Sequence, residues 1–249
     1  MLIDTDAIVL RTVNYSDTSI IAILLSKDYG KITVMAKGAR KFKSPFSAQL
    51  EPMNILSLNY FHKDGRNIQL LKESSFIENS SCIRQDINSL SYGLTVVEIL
   101  DKLIHENDID PIIFRLGVKV LLALKKNDIN NDILFSFFVL QLSIRLGFMP
   151  EFNKCFKCSI QLQSANFDQN EGELICENCS IDSTISFSLE AIELLKLLLN
   201  TNIKNLGTIE LNKKTINYLN SFIDYYSRYH LEGMTKVKSL KILRKLVDG

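Results

Sequence analysis

Four of the five cysteines in this 249-residue chain lie close together, in two pairs. Each pair encloses two residues and 17 residues separate the pairs, giving C-x2-C-x17-C-x2-C; the four are Cys155, Cys158, Cys176 and Cys179. A C-x2-C turn directs two thiolates at one point, and two such turns supply the four ligands of tetrahedral zinc. We therefore predict one structural Zn²⁺ site, since four protein ligands leave no coordination position for a reactive water.

Two other interpretations of the cysteines remain open. Two disulfides or four free thiols are possible, although disulfides are unusual in cytoplasmic proteins. A redox C-x-x-C is less favoured, because neither pair opens a helix after a strand in a βαβ unit. The residues between the pairs, around Gly172, are predicted to form a hairpin that needs metal to become ordered. The fifth cysteine, Cys82, is predicted to pack as a small apolar residue near a domain junction.

A polar loop between the third and fourth predicted strands is a second candidate site. Residues 37–44 contain one aromatic residue, Phe42, and four cations: Lys37, Arg40, Lys41 and Lys43. Lys and Arg on a flexible loop can follow phosphates without reading bases. Rings expected nearby, those of Phe46, Tyr60 and Phe61, are of the kind on which bases stack. A solvated loop without a ligand is the alternative, so at this point the loop is a candidate nucleic-acid contact.

The last 22 residues form another basic segment, with six Lys or Arg residues against two acidic ones. A helix predicted over 230–247 has an apolar face and a separate ridge of three lysines, Lys238, Lys241 and Lys245. A solvated lysine face is common on surface helices, and cations in a last turn also suit the helix dipole. The three lysines are therefore candidate DNA contacts beside this simpler interpretation.

The elements that must position these residues change character near residue 80. Five short β-branched and apolar runs come first, over 5–11, 19–25, 31–36, 53–62 and 67–75, with an Asp-Gly turn before the last. Five such strands suggest a small closed barrel, since closure removes exposed edges. Apolar residues then recur at helical spacing, predicting helices around 90–104, from 111, and over 131–147, 189–200, 213–227 and 230–247.

Composition and missing motifs limit the classes of function. The chain is 46% hydrophobic with a net charge of +1, which neither requires nor excludes a nucleic-acid partner. It contains neither G-x-x-x-x-G-K-[ST] nor G-x-G-x-x-G, its three histidines adjoin no nucleophile motif, and its acidic residues form no paired motif. We therefore expect binding rather than catalysis. The start lacks a signal-peptide pattern and no apolar run reaches membrane length, which predicts a cytoplasmic location.

Several segments together resemble the bacterial RecO family of recombination mediators and DNA repair proteins. They are Ala7-Ile-Val-Leu-Arg-Thr with Tyr15-Ser-Asp-Thr-Ser, Ala36-Lys-Gly-Ala-Arg-Lys with Lys43-Ser44 and Leu50-Glu-Pro52, Leu146-Gly-Phe-Met-Pro150 before Cys155, and Lys238-Ser239-Leu-Lys-Ile-Leu. The resemblance covers essentially the whole chain and keeps the order of the modules. It implies an N-terminal OB-fold barrel, placed at 1–79, and a helical domain at 80–249 with a zinc finger inserted at 152–181.

The resemblance also implies a function. Such a protein binds single- and double-stranded DNA, anneals complementary strands and helps to load the recombinase RecA onto DNA coated by single-strand-binding protein (SSB). It works with RecR in the RecF pathway, and its expected partners are DNA, RecR and the C-terminal tail of SSB, at the nucleoid. By position, the four loop cations would contact DNA and the four cysteines would hold zinc. The alternative is a zinc-stabilised protein-interaction module without direct DNA binding; a hydrolase or nuclease lacks any motif.

Overall fold

A computed structural model describes residues 1–106, 108–180 and 185–247. The chain forms two compact units, one from the described parts of Met1–Asn127 and Lys236–Gly249, the other from the described part of Asp128–Thr235. The first unit thus contains residues from both regions that flank the second unit in sequence. The division at residue 79, which follows the change from strands to helices, stays a prediction.

The strands belong to two sheets. They are β1 (Leu2–Tyr15), β2 (Ser19–Ser26), β3 (Gly30–Ala36), β4 (Ile55–Phe61), β5 (Gln69–Glu78), β6 (Ala165–Asp168), β7 (Glu173–Ile175) and β8 (Ser186–Phe187). The first five close into a barrel in the order β1-β2-β3-β5-β4, in which β3 and β5 are parallel and the other neighbours are antiparallel. This OB-like barrel, followed by helices and a four-cysteine cluster, confirms the predicted fold class.

The helices from the third onward follow the predicted order, and two short helices before them were not predicted. The helices are α1 (Phe46–Gln49), α2 (Ser81–Gln85), α3 (Ile87–Leu103), α4 (Pro111–Lys126), α5 (Asn131–Arg145), α6 (Leu189–Asn200), α7 (Lys213–His230) and α8 (Lys238–Val247). Asp110 caps α4 by accepting from the backbone N–H groups of Ile112 and Ile113, as its position before Pro111 indicates. None of the helices in these described ranges is both long and apolar enough to cross a membrane.

The barrel interior is filled by alternate side chains from its strands. Ala7 and Val9 of β1 are fully buried with Leu24 of β2, Val34 of β3 and Leu58 of β4. The strand β1 is longer than its β-branched run indicates, because its two ends have different partners. Its first half pairs with β4 and its second half with β2, so backbone hydrogen bonds support all of it.

A buried carboxylate connects α3 to the barrel within the first unit. The side chain of Asp101 is almost fully buried, and its oxygens lie 2.7 Å from the Arg11 guanidinium and 3.3 Å from the Lys31 ammonium, both on the barrel. The Lys31 ammonium also donates to the backbone carbonyl of Ile104 at the end of α3. Breaking a buried pair by removing one partner leaves an uncompensated charge, so this cluster fixes α3 on the barrel.

The predicted final helix over 230–247 is wrong in its first half. The preceding helix α7 continues to His230, the chain turns at Gly233 with a φ of +96°, and α8 begins only at Lys238. Three apolar residues between the two helices, Leu231, Met234 and Val237, are nevertheless buried, and Met234 lies in a short 3-10 helix. Burial continues through the turn at helical spacing, which is why the pattern predicted an unbroken helix.

The second unit packs aromatic rings around one residue of α7. The ring of Phe222 lies 5.2 Å from that of Phe152, 6.1 Å from that of Phe167 and 5.9 Å from that of Phe187, measured between centroids. Phe152, Phe167 and Phe187 belong to the cysteine-containing segment and its sheet, whose strand order is β7-β6-β8. This segment is therefore attached to the helices by a shared aromatic core.

Candidate metal centre and nucleic-acid surface

The four cysteines predicted as ligands are brought together. Their Sγ atoms all lie within 4.8 Å of one another, and the sulfurs of Cys158 and Cys176 are 3.6 Å apart. Four sulfurs around one Zn²⁺ lie roughly 3.8 Å apart, given a tetrahedral Zn–S bond of about 2.3 Å. One sulfur of each C-x2-C pair is buried, on Cys155 and Cys176, whereas Cys158 is exposed. The cluster can hold a metal ion.

Two short turns aim the sulfurs at one point. In the first, the backbone N–H of Ser159 donates to the carbonyl of Cys155 over 2.8 Å, and Ser159 has a φ of +60°. In the second, the N–H of Cys179 donates to the carbonyl of Cys176 over 3.1 Å. The antiparallel pair β6–β7 connects the turns, and the N–H of Phe156 donates to a carbonyl on β7. The predicted hairpin is thus confirmed; residue 181, the last of the predicted knuckle, lies outside the described residues.

The electrostatics of the cluster fit a divalent cation. Burial acts to raise the pKa of Cys155, but N–H donors of Cys176 and Cys158 outweigh it and lower that pKa to about 6. Donation to the sulfurs of Cys158 and Cys176, with repulsion from the Cys155 thiolate, raises the pKa of Cys179 to about 12. Four thiolates at this spacing repel one another, so a cation is what allows all four to ionise together.

An ion pair connects the first cysteine turn to the hairpin. The Lys157 ammonium lies 2.6 Å from the Asp168 carboxylate, whose side chain is buried. The hydrogen bond from Lys157 lowers the pKa of Asp168 more than burial raises it. This contact orients the turn that carries Cys155 and Cys158 and places a positive charge beside a cluster of anionic sulfurs.

The basic loop follows β3 and is attached to the barrel by its backbone. All four predicted cations, Lys37, Arg40, Lys41 and Lys43, are exposed. The N–H of Arg40 donates to the carbonyl of Thr18 over 2.8 Å, and the Arg40 guanidinium donates to the carbonyl of Ser16. The side chain of Ala39 is fully buried in the barrel core. The loop therefore has a defined backbone and presents its cations to solvent.

The rings expected to stack on bases differ in exposure. Tyr60 is 1% exposed and lies in the barrel core, so its predicted stacking role is wrong. The alternation along β4 contains the signal for this, because Tyr60 shares the inward face of Leu56 and Leu58. Phe46 is partly buried against the core, whereas Phe61 is 47% exposed at the end of β4. Within the loop itself, Phe42 is 92% exposed, with the Lys43 ammonium 5.6 Å from its centroid.

The C-terminal lysines belong to the same compact unit as the loop. Lys238, Lys241 and Lys245 lie on α8 and are exposed. The carboxylate of Glu98 on α3 accepts from the backbone N–H groups of Lys238 and Ser239 and from the Ser239 hydroxyl. These bonds cap the first turn of α8 and hold it on α3, with its lysines toward solvent.

The fifth cysteine does not follow its prediction. Cys82 is exposed at the start of α2, whereas a buried apolar role was expected. The buried residue of that short helix is Ile83. A helix of five residues has room for one inward position, and the longer branched side chain occupies it.

These features define a class of protein, one with an OB-like barrel, a helical region and, within the helical region, a cluster of four cysteines that can hold a metal ion. Two family models match the chain: Recombination protein O N terminal over residues 1–80 and Recombination protein O C terminal over residues 84–241. The chain therefore belongs to the RecO family of DNA repair proteins.

Relatives from several bacteria agree with this assignment. DNA repair protein RecO of Bacillus pumilus is 30% identical over all of this chain and 98% of its own length. The protein of the same name from Oceanobacillus iheyensis is 27% identical over 99% of this chain and 94% of its own length. That of Salinibacter ruber is 38% identical over 60% of this chain and 57% of its own length.

Proposed function

We propose that this protein is a non-enzymatic DNA-binding mediator of recombinational repair. It binds single- and double-stranded DNA, anneals complementary strands and helps to load RecA onto SSB-coated DNA, together with RecR in the RecF pathway. The observation that carries the proposal is the basic loop, where four exposed cations flank a phenylalanine that is 92% exposed. An exposed ring between cations suits a strand that offers a base and a phosphate together.

The mechanism needs positioning and charge rather than bond chemistry. Lys and Arg side chains neutralise phosphates and release the counterions that surround them, which gives affinity without sequence preference. Two strands held on one protein repel each other less and meet at a high local concentration, so they anneal faster. The near-neutral net charge of the chain makes the placement of these cations more important than their number.

The remaining partners follow from the family and from donor chemistry. Zn²⁺ is the ion we propose for the cysteine cluster, because four thiolates form a closed tetrahedral set typical of structural zinc. When bound, it cross-links the two turns and gives the hairpin its order. RecR and the C-terminal tail of SSB are the proposed protein partners, in a cytoplasmic, nucleoid-associated setting.

The loop is tested by removing its four cations together. The Lys37→Ala, Arg40→Ala, Lys41→Ala, Lys43→Ala variant is expected to bind an oligo(dT) probe more weakly, measured by fluorescence anisotropy at several salt concentrations. If each cation pairs with one phosphate, the slope of log affinity against log salt decreases by about 3. A matched control replaces four exposed lysines outside the loop, Lys27, Lys63, Lys204 and Lys213. It removes the same charge and is expected to keep most of the slope.

Phe42→Ala separates stacking from charge in the same assay. Loss of one stacked base is expected to weaken binding by about fivefold or more while the salt slope stays unchanged. Phe42→Tyr keeps a ring and is the matched control.

A quadruple variant with the wild-type slope would reject the loop as the DNA site. Absence of DNA affinity in the wild type at low salt would favour the protein-interaction module instead.

A further inference from the structure

A groove in the second unit is not used by the proposed loop site. It is a cavity of about 230 Å³ between α7 and the β6–β7 hairpin, lined by Phe167, Gln169, Tyr225, Arg228 and Tyr229. This volume is below the roughly 300–1,000 Å³ of pockets that enclose whole ligands. A space of this size and lining suits one planar group inserted from a longer molecule.

The rings of the groove are held in place by their neighbours. The ring of Tyr225 lies 5.7 Å from that of buried Phe167, tilted by 45°. The hydroxyl of Tyr229 donates to the carbonyl of Asn170 over 2.8 Å, and its ring packs on Gly172 so closely that a Cβ there would overlap it. Tyr225 and Tyr229 are nevertheless 36% and 49% exposed, so fixed aromatic surfaces face solvent.

The groove continues a stripe of tyrosines along α7. Tyr218, Tyr225 and Tyr229 are seven and four residues apart, which places them on one face of the helix. Cations accompany the stripe, with the Lys214 ammonium 5.7 Å from the ring of Tyr218 and exposed Arg228 beside the other two rings. At about 1.5 Å per residue the stripe extends for roughly 16 Å, which is longer than one base requires.

The acidic residue that lies between two lining residues in the sequence is already compensated. Asp168 follows Phe167 in β6, and its carboxylate is bound by the Lys157 ammonium at 2.6 Å. Arg228 is thus the charged side chain that lines the groove itself. An anionic group attached to a flat ring system fits this combination of positive charge and aromatic surface.

We propose that this groove is a second binding site for single-stranded DNA. One base stacks on Tyr225 or Tyr229, and Arg228 contacts a neighbouring phosphate. The inference rests on the proposed function, since it assumes that DNA is the ligand. The loop and the groove belong to different compact units, so one chain holds two single-stranded segments, as annealing requires.

Photocrosslinking of the intact, metal-loaded protein tests the groove directly. An oligonucleotide containing 5-iododeoxyuridine is irradiated in the complex and the adducts are mapped by mass spectrometry. The expected result is adducts on Tyr225 or Tyr229 as well as on the 37–44 loop. Because the wild-type protein is used, the result does not depend on how a variant folds.

Measurements of oligo(dT) affinity are the second test of the groove. Tyr225→Ala combined with Arg228→Gln is expected to weaken oligo(dT) binding by about fivefold or more and to lower the salt slope by about 0.7. The matched control, Leu197→Ala with Lys204→Gln, removes an exposed apolar side chain and an exposed cation from the same unit. If the groove variant unfolds, Tyr225→Leu removes the aromatic face and keeps apolar contact with Phe167.

The outcomes distinguish this inference from the proposed function. Adducts confined to the loop, with unchanged affinity in the folded groove variant, overturn the groove and leave the loop site intact. Absence of wild-type DNA binding at low salt would overturn both, whereas adducts on the α7 tyrosines with loss of affinity support the groove.

Discussion

At the residue scale, Glu173 at the start of β7 is a carboxyl group whose pKa is strongly raised. Its side chain is 16% exposed, and one oxygen lies 3.5 Å from Nε2 of His230. The same Nε2 lies 2.9 Å from the carbonyl oxygen of Gly172, to which it can donate. Burial raises the pKa of Glu173 to about 7, and the charge of Glu151 adds to the increase.

The raised pKa predicts how stability depends on pH. A carboxyl whose folded-state pKa exceeds its unfolded value binds its proton more tightly when folded, so its stability contribution decreases as pH rises between the two values. Glu173→Gln removes this penalty. The gain in free energy of unfolding over wild type is expected to increase from about pH 4.5 to about pH 7 and then level off, reaching about 1–3 kcal/mol. Urea denaturation of the metal-loaded proteins measures it.

A neighbouring carboxylate provides the control for Glu173. Glu171→Gln changes an exposed group two residues away and is expected to give a small difference without this pH dependence. Parallel stability curves for Glu173→Gln and wild type between about pH 4.5 and 7 would contradict the assignment. Parallel curves would mean that Glu173 titrates at the same pH in the folded and unfolded chain.

At the element scale, the hairpin of β6 and β7 is too short to be stable alone. Its strands have four and three residues, and two-stranded hairpins are marginal in water. Packing of Phe167 on α7 and the cysteine cluster at its base are what stabilise it. An ion held by these four cysteines would therefore be thermodynamically linked to the order of the hairpin.

Loss of metal is expected to loosen this segment without unfolding the barrel. Chelation, or Cys176→Ser, should increase amide hydrogen exchange over residues 152–180, because this segment then opens locally. The amides of β1–β5 should keep their protection from exchange. Binding of oligo(dT) at the loop should persist. Hydrogen exchange with mass spectrometry and anisotropy on the same sample measure both effects.

Cys82→Ser is the matched control, because it removes an exposed thiol outside the cluster. Loss of loop adducts in a Cys176→Ser protein that remains folded would contradict a purely structural metal. It would show that the metal segment takes part in DNA contact at that loop.

At the scale of the whole molecule, the first unit contains two segments that are distant in sequence. The helix α8 packs on α3, and Val237, Leu240 and Leu243 are buried in this unit. Burial raises the pKa of Glu98, but the hydrogen bonds from Ser239 and Lys238 outweigh it and lower that pKa, so the cap favours the ionised form. The last described helix is therefore part of the core of the first unit.

Deletion of residues 236–249 is expected to destabilise the first unit. Three buried side chains at about 1.5–3 kcal/mol each amount to roughly 5 kcal/mol, which is comparable with the stability of a whole domain. Hydrogen exchange should increase in α3 while α5–α7 keep their protection. Lys241→Ala with Lys245→Ala is the control, because these exposed changes are expected to stay within about 0.5 kcal/mol. Unchanged protection of α3 after deletion would contradict this role of α8.

The sequence by itself determined the features that depend on near neighbours. The spacing of the cysteine pairs predicted their convergence, since each C-x2-C turn is local and a short hairpin links them. Alternation and helical spacing predicted the five strands and the order of the helices, and Asp110 before Pro111 identified the start of α4. The family too was indicated by short segments in a fixed order along the chain, which depends on residue types alone.

Tertiary structure alone decided which of these residues face solvent and which unit they join. The fold left Phe42 exposed, and the stripe of tyrosines on α7 became a groove only where the hairpin packs beside it. The turn at Gly233 and the cap from Glu98 placed α8 in the first unit. Such outcomes depend on contacts between residues far apart in sequence, which periodicity and spacing do not encode.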